Sequence, residues 1–195
     1  MADHPSEEAS RRVLDKAEQL FLERGYAQTK LRDLAAGLNM KPASLYYHAP
    51  GGKEELWHRV VDRLLARHHE QLVRAAQHAN PDLRSQLRAM GDWLISQPPV
   101  HPAFIASSNT NNEPLSTRTA DRMYEGLMAP IADVIKQAVA RGEIRDIEPD
   151  LLAGVFVTSV HGMVPLSNNN QLPSSLQKLV YQLIDIFMDG ILAES

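Results

Sequence analysis

Apolar residues return at three- and four-residue steps through most of the chain, with polar positions on the opposite face. Val13, Leu14, Ala17, Leu20 and Phe21 form the first such stripe, the pattern of an amphipathic helix. Ser6, Glu7 and Glu8 supply start chemistry and Gly25 a stop, so a helix is predicted over 6–24. A shorter stripe follows in Leu31, Leu34, Ala35 and Leu38, with Thr29 as its N-cap. Asn39 stands where the chain must turn through a left-handed residue, which Asn tolerates. Pro42 then opens a third helix, since its missing N–H would have no partner in a first turn. Pro50, Gly51 and Gly52 end that helix by Ala49. From Lys53 a long pattern runs through Leu56, Trp57, Val60, Val61, Leu64, Leu65, Leu72, Val73 and Ala76.

Four more helical patterns cover 82–96, 115–141 with a break near Pro130, 149–167 and 173–193. The pieces "QPPVHP", "SSNTNNEP" and "SNNNQLPSS" between them read as loops. Sustained two-residue alternation and internal repeats are absent. The expectation is an all-α protein of about nine helices. Residues 1–52 are predicted to form a three-helix, helix-turn-helix domain. Residues 53–195 form a helical bundle whose first helix is the connector.

The third helix carries the informative chemistry. Tyr46 and Tyr47 are adjacent and must point in different directions. Met40, Leu45 and Tyr46 can build its inward face against Phe21, Leu31, Leu34 and Leu38. Lys41, Pro42, Ala43, Ser44, Tyr47 and His48 are left facing outward. Small side chains at a helix start let it enter a B-DNA major groove and reach base edges. Lys41 can donate to guanine, Ser44 to several groups, and Pro42 or Ala43 can touch a thymine methyl. Tyr47 would contact the groove, and the Tyr46 hydroxyl would lie near a phosphate. Thr29 and Lys53 each head a helix, where free N–H groups favour an anion. Lys30 and His48 are further phosphate candidates.

Composition narrows the partners. The hydrophobic fraction of 44% and charged fraction of 23% suit a globular core. Net charge is −4, so any nucleic-acid footprint must be local. Residues 28–53 fit that demand, with Lys30, Arg32, Lys41 and Lys53 against the single acid Asp33. The absence of cysteine excludes disulfides, thiolate zinc sites and cysteine nucleophiles. No apolar leader is visible at the N-terminus, and the apolar run 151–166 is short and holds His161, so a soluble, cytoplasmic protein without membrane contact is expected.

The stretch "RRVLDKAEQLFLERGYAQTKLRDLAAGLNMKPASLYYHAPGGKEELW" resembles the N-terminal domain of the TetR family of bacterial transcriptional repressors. The matching pieces are "A…LF…GY", "T-x-L-R-D-L-A", "S-L-Y-Y-H" and "K-E-E-L", within about residues 10–60. The resemblance implies that Lys41, Pro42, Ala43, Ser44 and Tyr47 face bases and that Thr29, Tyr46, His48 and Lys53 hold phosphates. Three positions depart from the family pattern: Asn39 replaces a turn glycine, Ala49 a common Phe, and "PGGK" is one residue longer than usual.

The resemblance further implies a C-terminal bundle that dimerises and holds a small effector. The sequence supports the homodimer independently. Val155, Phe156, Ser159, Val160 and Met163, with Leu176, Leu179, Val180, Leu183, Ile184, Phe187, Met188 and Ile191, are apolar over more than one stripe. Two such helices per subunit make a four-helix interface by twofold symmetry. Trp93, Phe104, Met123, Tyr124, Leu127, Met128 and His161 are candidate pocket residues, although core packing also explains each. No cofactor is implied. Enzyme motifs such as G-x-S-x-G, G-x-G-x-x-G and H-E-x-x-H are missing. A metal-responsive regulator of the same fold and a helical adaptor that binds only protein are the alternatives. Against the first, His68 and His69 are adjacent and must face apart on a helix.

Overall fold

The computed structural model describes residues 7–97, 117–168 and 174–191. Among the described residues the secondary structure is helical and no strand forms. The elements are α1 (Glu7–Gln28), α2 (Leu31–Gly37), α3 (Pro42–His48), α4 (Gly52–His78) and α5 (Leu83–Ser96). Then come α6 (Thr117–Met123), a π-helical turn (Tyr124–Met128), α7 (Ala129–Ala140), α8 (Pro149–Asn168) and α9 (Leu176–Ile191). The all-α expectation therefore holds. The chain forms two compact units that part inside α4, between Leu64 and Leu65, some three turns beyond the Gly52/Lys53 boundary expected at the start of that helix.

In the first unit the predicted stripes face inward. Val13, Ala17, Leu20 and Phe21 of α1, Leu34 and Ala35 of α2, and Leu56, Trp57, Val60, Val61 and Leu64 of α4 are all buried. Trp57 is the centre of an aromatic cluster. Its ring meets Phe21 edge-on at 5.1 Å and Tyr26 at 5.3 Å. Such pairs add to what burial alone provides. Arg63 completes the tie between α4 and α1, donating to Asp15 Oδ1 at 2.6 Å and also to the Glu18 carboxylate.

Both predicted turn residues take left-handed backbone. Gly25 has φ 75° and interrupts α1 where the sequence placed the stop. Asn39 has φ 53°, so the missing turn glycine is replaced at a modest cost. Thr29, in contrast, is not the cap of α2. The N-cap is Lys30, with no side-chain bond, while Thr29 is 3% exposed. Its hydroxyl donates to the Gly25 carbonyl at 2.8 Å, with the Leu20 carbonyl at 3.2 Å. The residue closes the end of α1 instead of opening α2, because the carbonyls orphaned at that end lie within its reach. Thr29→Val should lower unfolding free energy by ~1–2 kcal/mol through the carbonyl left unpaired. Chemical denaturation measures this loss.

The second unit is organised around α5. Asp82 caps it, accepting from the Ser85 N–H at 2.8 Å, and this bond holds the carboxyl below its ordinary pKa. Leu83, Leu87, Met90 and Leu94 are fully covered. Gly91 allows close packing: a Cβ there would stand 2.8 Å from Val180 Cγ1 of α9 and 3.5 Å from the Phe156 ring of α8. Polar bonds reinforce the α5–α9 seam, with Tyr181 donating to Asp92 at 2.7 Å and Arg88 to Asp185 at 2.9 Å.

The predicted helix 115–141 is present from Thr117, with its break just before Pro130 as expected. Pro130 has no N–H for the carbonyl of Gly126, and its ring crowds that carbonyl. The chain answers with wider turns, in which the Ala129 N–H bonds to the Tyr124 carbonyl. Gly126 is needed at this point for another reason: a Cβ would come within 2.8 Å of Leu65 Cβ and 3.0 Å of its backbone oxygen.

Candidate nucleic-acid interface

The third helix is seven residues long and begins at Pro42, as its sequence requires. Leu45 is its buried residue, and Ala49, one turn on, is also covered. Residues four apart share a helix face, so Leu45 and Ala49 form the buried face that packs α3 onto the unit. The small Ala49 fills the interior place without the bulk of the common Phe.

Pro42, Ala43, Ser44, Tyr46 and Tyr47 are exposed, as is Lys41 at the N-cap. Tyr46 departs from expectation. The sequence predicts its ring in the core, yet it is 53% exposed, more than Tyr47 at 48%. Leu45 and Ala49 already fill the inward face, and Tyr46 lies about 100° round the helix from Leu45. Its Cε1 lies 3.6 Å from where a Cβ on Gly52 would stand, beside Leu31 Cδ1. Gly52, with φ 67°, could bear no side chain without strain.

Around this bare helix stand the candidate anion holders. Lys30 is exposed at the N-cap of α2. His48 is half-buried, its Nδ1 3.4 Å from the Ser10 hydroxyl and its ring edge-on to Tyr47 at 5.8 Å. Its carbonyl accepts from Arg59 Nη1 at 2.9 Å, which fixes the end of α3 to α4. Lys53 lies in the first turn of α4 with its ammonium 4.0 Å from the centre of the Tyr26 ring. Partial burial pushes its pKa down. The cation–π contact holds the charged end in place. Two amides at that helix start are already engaged: Gly51 N–H donates to Glu55 at 2.8 Å and Gly52 N–H to the Ala49 carbonyl at 2.9 Å. An anion there would meet the Lys53 ammonium in place of those amides. Thr29 offers an anion little, since its hydroxyl and its N–H both bond inward.

Residues 13–60 match the family model for bacterial regulatory proteins of the tetR family. Over those residues the chain is similar to the DNA-binding part of that family. The chain is 43% identical over 51 residues to the biofilm operon icaADBC negative regulator IcaR of Staphylococcus epidermidis, covering 26% of this chain and 27% of IcaR. It thus spans about a quarter of IcaR. With the transcriptional repressor DhaR of Mycobacterium sp. GP1 it shares 26% identity over 156 residues, 78% of each chain. Among solved structures, a Saccharomonospora viridis protein in complex with choline superposes with a TM-score of 0.75 at 21% identity, covering 96% of this chain and 99% of that one.

The pocket candidates scatter. Phe104 lies outside the described residues. Leu127 is buried, and Met123 and Met128 are half-buried. Met128 Cε packs where a Cβ on Gly154 would stand, at 3.1 Å. Tyr124 lies on the surface, donating to Asp150 at 2.8 Å, and that bond pushes its phenol pKa up. Trp93 and His161 come into one neighbourhood with a residue that sequence reasoning missed. His68 is 2% exposed, and its ring lies 6.1 Å from that of Trp93. Burial first, then His161 and Arg67, push its pKa down to about 4, so it is neutral at pH 7. Its place next to His69 masks this burial in the sequence. The available signal was its spacing of four from both Leu64 and Leu72, which puts it on the apolar face. Among the described residues, no group of three His, Asp or Glu side chains is placed to hold a metal ion.

The exposed apolar residues of the second unit fall into stripes. On α8 Leu151, Val155 and Leu166 are exposed, and exposed Thr158 and Gly162 continue the same face. On α9 Ile186 is 68% exposed, with half-buried Leu179 and Leu183 beside it. Over 149–166 α8 is long and apolar enough to cross a membrane by length and composition alone, because the helix begins two residues before the apolar run.

Proposed function

We propose that this chain is a repressor that binds operator DNA as a homodimer and leaves it when the second unit takes up a small molecule. The observation that carries the reading is the bareness of α3: six outward positions from Lys41 to Tyr47 with one buried anchor, Leu45. Lys41, Pro42, Ala43, Ser44 and Tyr47 are the base-reading set. Lys30, Tyr46, His48 and Lys53 hold phosphates, which fix register and add salt-dependent affinity. The named repressors IcaR and DhaR support the direction of control. The choline complex supports a small-molecule effector. A cytoplasmic location follows from DNA as the partner.

The dimer reading rests on the exposed stripe of Leu151, Val155, Thr158, Gly162 and Leu166 on α8, and on exposed Ile186 with half-buried Leu179 and Leu183 on α9. Contiguous exposed apolar surface marks an interaction site, and a second copy covers it by twofold symmetry. The pair would set two α3 helices about 34 Å apart, one turn of duplex. Leu151→Glu combined with Ile186→Glu should yield a monomer in sedimentation and reduce operator affinity at least ~100-fold, since one half-site then binds alone.

The test of the whole reading is binding to a duplex selected from random sequence, followed by fluorescence anisotropy. The expected logarithmic salt slope is about −0.9 per neutralised phosphate. Lys30→Ala should flatten that slope by about one unit per subunit without changing sequence preference. A protein-only adaptor would select no duplex at all.

A further inference from the structure

We infer that the effector site of the second unit lies at His68 and Trp93 and takes a small apolar organic acid, whose carboxylate accepts from the ring N–H groups of both. The inference rests on the regulator reading and adds to it the chemical class of the effector.

Two covered nitrogens there have no hydrogen-bond partner, His68 Nδ1 and Trp93 Nε1. The indole nitrogen can only donate, and a neutral imidazole can donate from Nδ1 in one of its tautomers. Buried polar groups are nearly always satisfied, and one left without a partner calls for an explanation. The rings stand 6.1 Å apart at 70°, which puts the two unpartnered nitrogens in one neighbourhood.

The charges acting on His68 have one sign. His161 from α8 and Arg67 from its own helix both disfavour a proton on it, after burial itself. The neighbour on α5 is Trp93, an uncharged donor, and no carboxylate appears among the groups acting on the imidazole. An incoming anion supplies the missing negative charge, which favours protonation of His68. Ligand uptake would then draw in one proton. Among the described residues, no carboxylate acts on the His68 imidazole to serve a cation such as choline as counter-ion. The surroundings are apolar: Leu64, Leu65 and Leu72 near His68 on α4, and Met90 and Leu94 near Trp93 on α5, are buried.

The experiment is calorimetry on the full-length protein with benzoate, phenylacetate and octanoate, their primary amides and choline, at pH 6, 7 and 8. At least one acid should bind with its affinity rising up to about tenfold per unit of falling pH. The matching amide should bind at least tenfold more weakly, and choline not at all. Trp93→Phe, which removes only the N–H donor, and His68→Leu should each reduce acid binding at least tenfold while operator binding persists. Equal binding of acid and amide, a flat pH profile, or undiminished binding by both variants would overturn the inference. So would silence from all three acids in a protein that still binds its operator. Loss of operator binding in the unaltered protein would instead overturn the regulator reading.

Discussion

With Lys41 and Tyr47 both replaced by Ala, operator affinity should fall at least ~100-fold while the fold is untouched. Both side chains are exposed, and neither is among the buried residues of the first unit. A base contact of this kind is worth ~1–3 kcal/mol, and the two-residue change occurs once in each half-site. Surface substitutions away from special backbone shift stability by only about 0.5 kcal/mol. Melting should therefore move by no more than about 4 °C for the two changes together in a chain of this size. The expected signature is lost sequence discrimination with a residual, salt-sensitive affinity from the phosphate contacts that remain. An equal loss at every salt concentration and for every duplex would show that the two residues act on folding or dimerisation instead.

The largest expected effect on stability comes from Trp57→Ala. Trp57 is 1% exposed and contacts Phe21 and Tyr26, so its loss opens a cavity between α1 and α4. Removing a buried Trp costs ~3–5 kcal/mol, a large part of the usual stability of a domain. The consequence reaches the interface through Tyr26, whose ring holds the Lys53 ammonium at 4.0 Å. Freed from Trp57, Tyr26 no longer fixes that cation beside α3. Operator binding should weaken even at temperatures where the variant stays folded. Calorimetric melting and anisotropy at low temperature separate the two effects. Trp57→Phe, which keeps most of the ring contact, should recover the greater part of both.

Legibility in the sequence followed the physics of each signal. Helices with one apolar stripe, such as α1 and α5, were placed to within a few residues because burial imposes the period directly. The turn at Asn39 and the start at Pro42 were also legible, since each depends on one residue's own backbone preference. Thr29 misled because a Thr before a helix suits a cap, while the alternative partners, the carbonyls of Leu20 and Gly25, come close only after α1 folds. Tyr46 misled because three helical residues competed for an inward face that Leu45 and Ala49 fill between them. His68 lay hidden for the same reason in reverse: a polar residue in an apolar stripe gains meaning only when its neighbours from α5 and α8 are known. The break before Pro130 was readable, whereas the π-helical form of its relief required the close approach of Gly126 to Leu65.

The central claim is that α3 meets base edges, twice, one helical turn apart. Crosslinking tests it most directly. Ala43→Cys, carrying an azidophenacyl photoprobe, is irradiated on the selected operator and the adducts are mapped by primer extension. Two clusters of adducts are expected, symmetric about the operator centre and about 10 base pairs apart. They should disappear when the same probe is carried at the exposed Gln182 of α9. Adducts from the Gln182 probe with none from Ala43, or a single cluster in one half-site, would contradict the account.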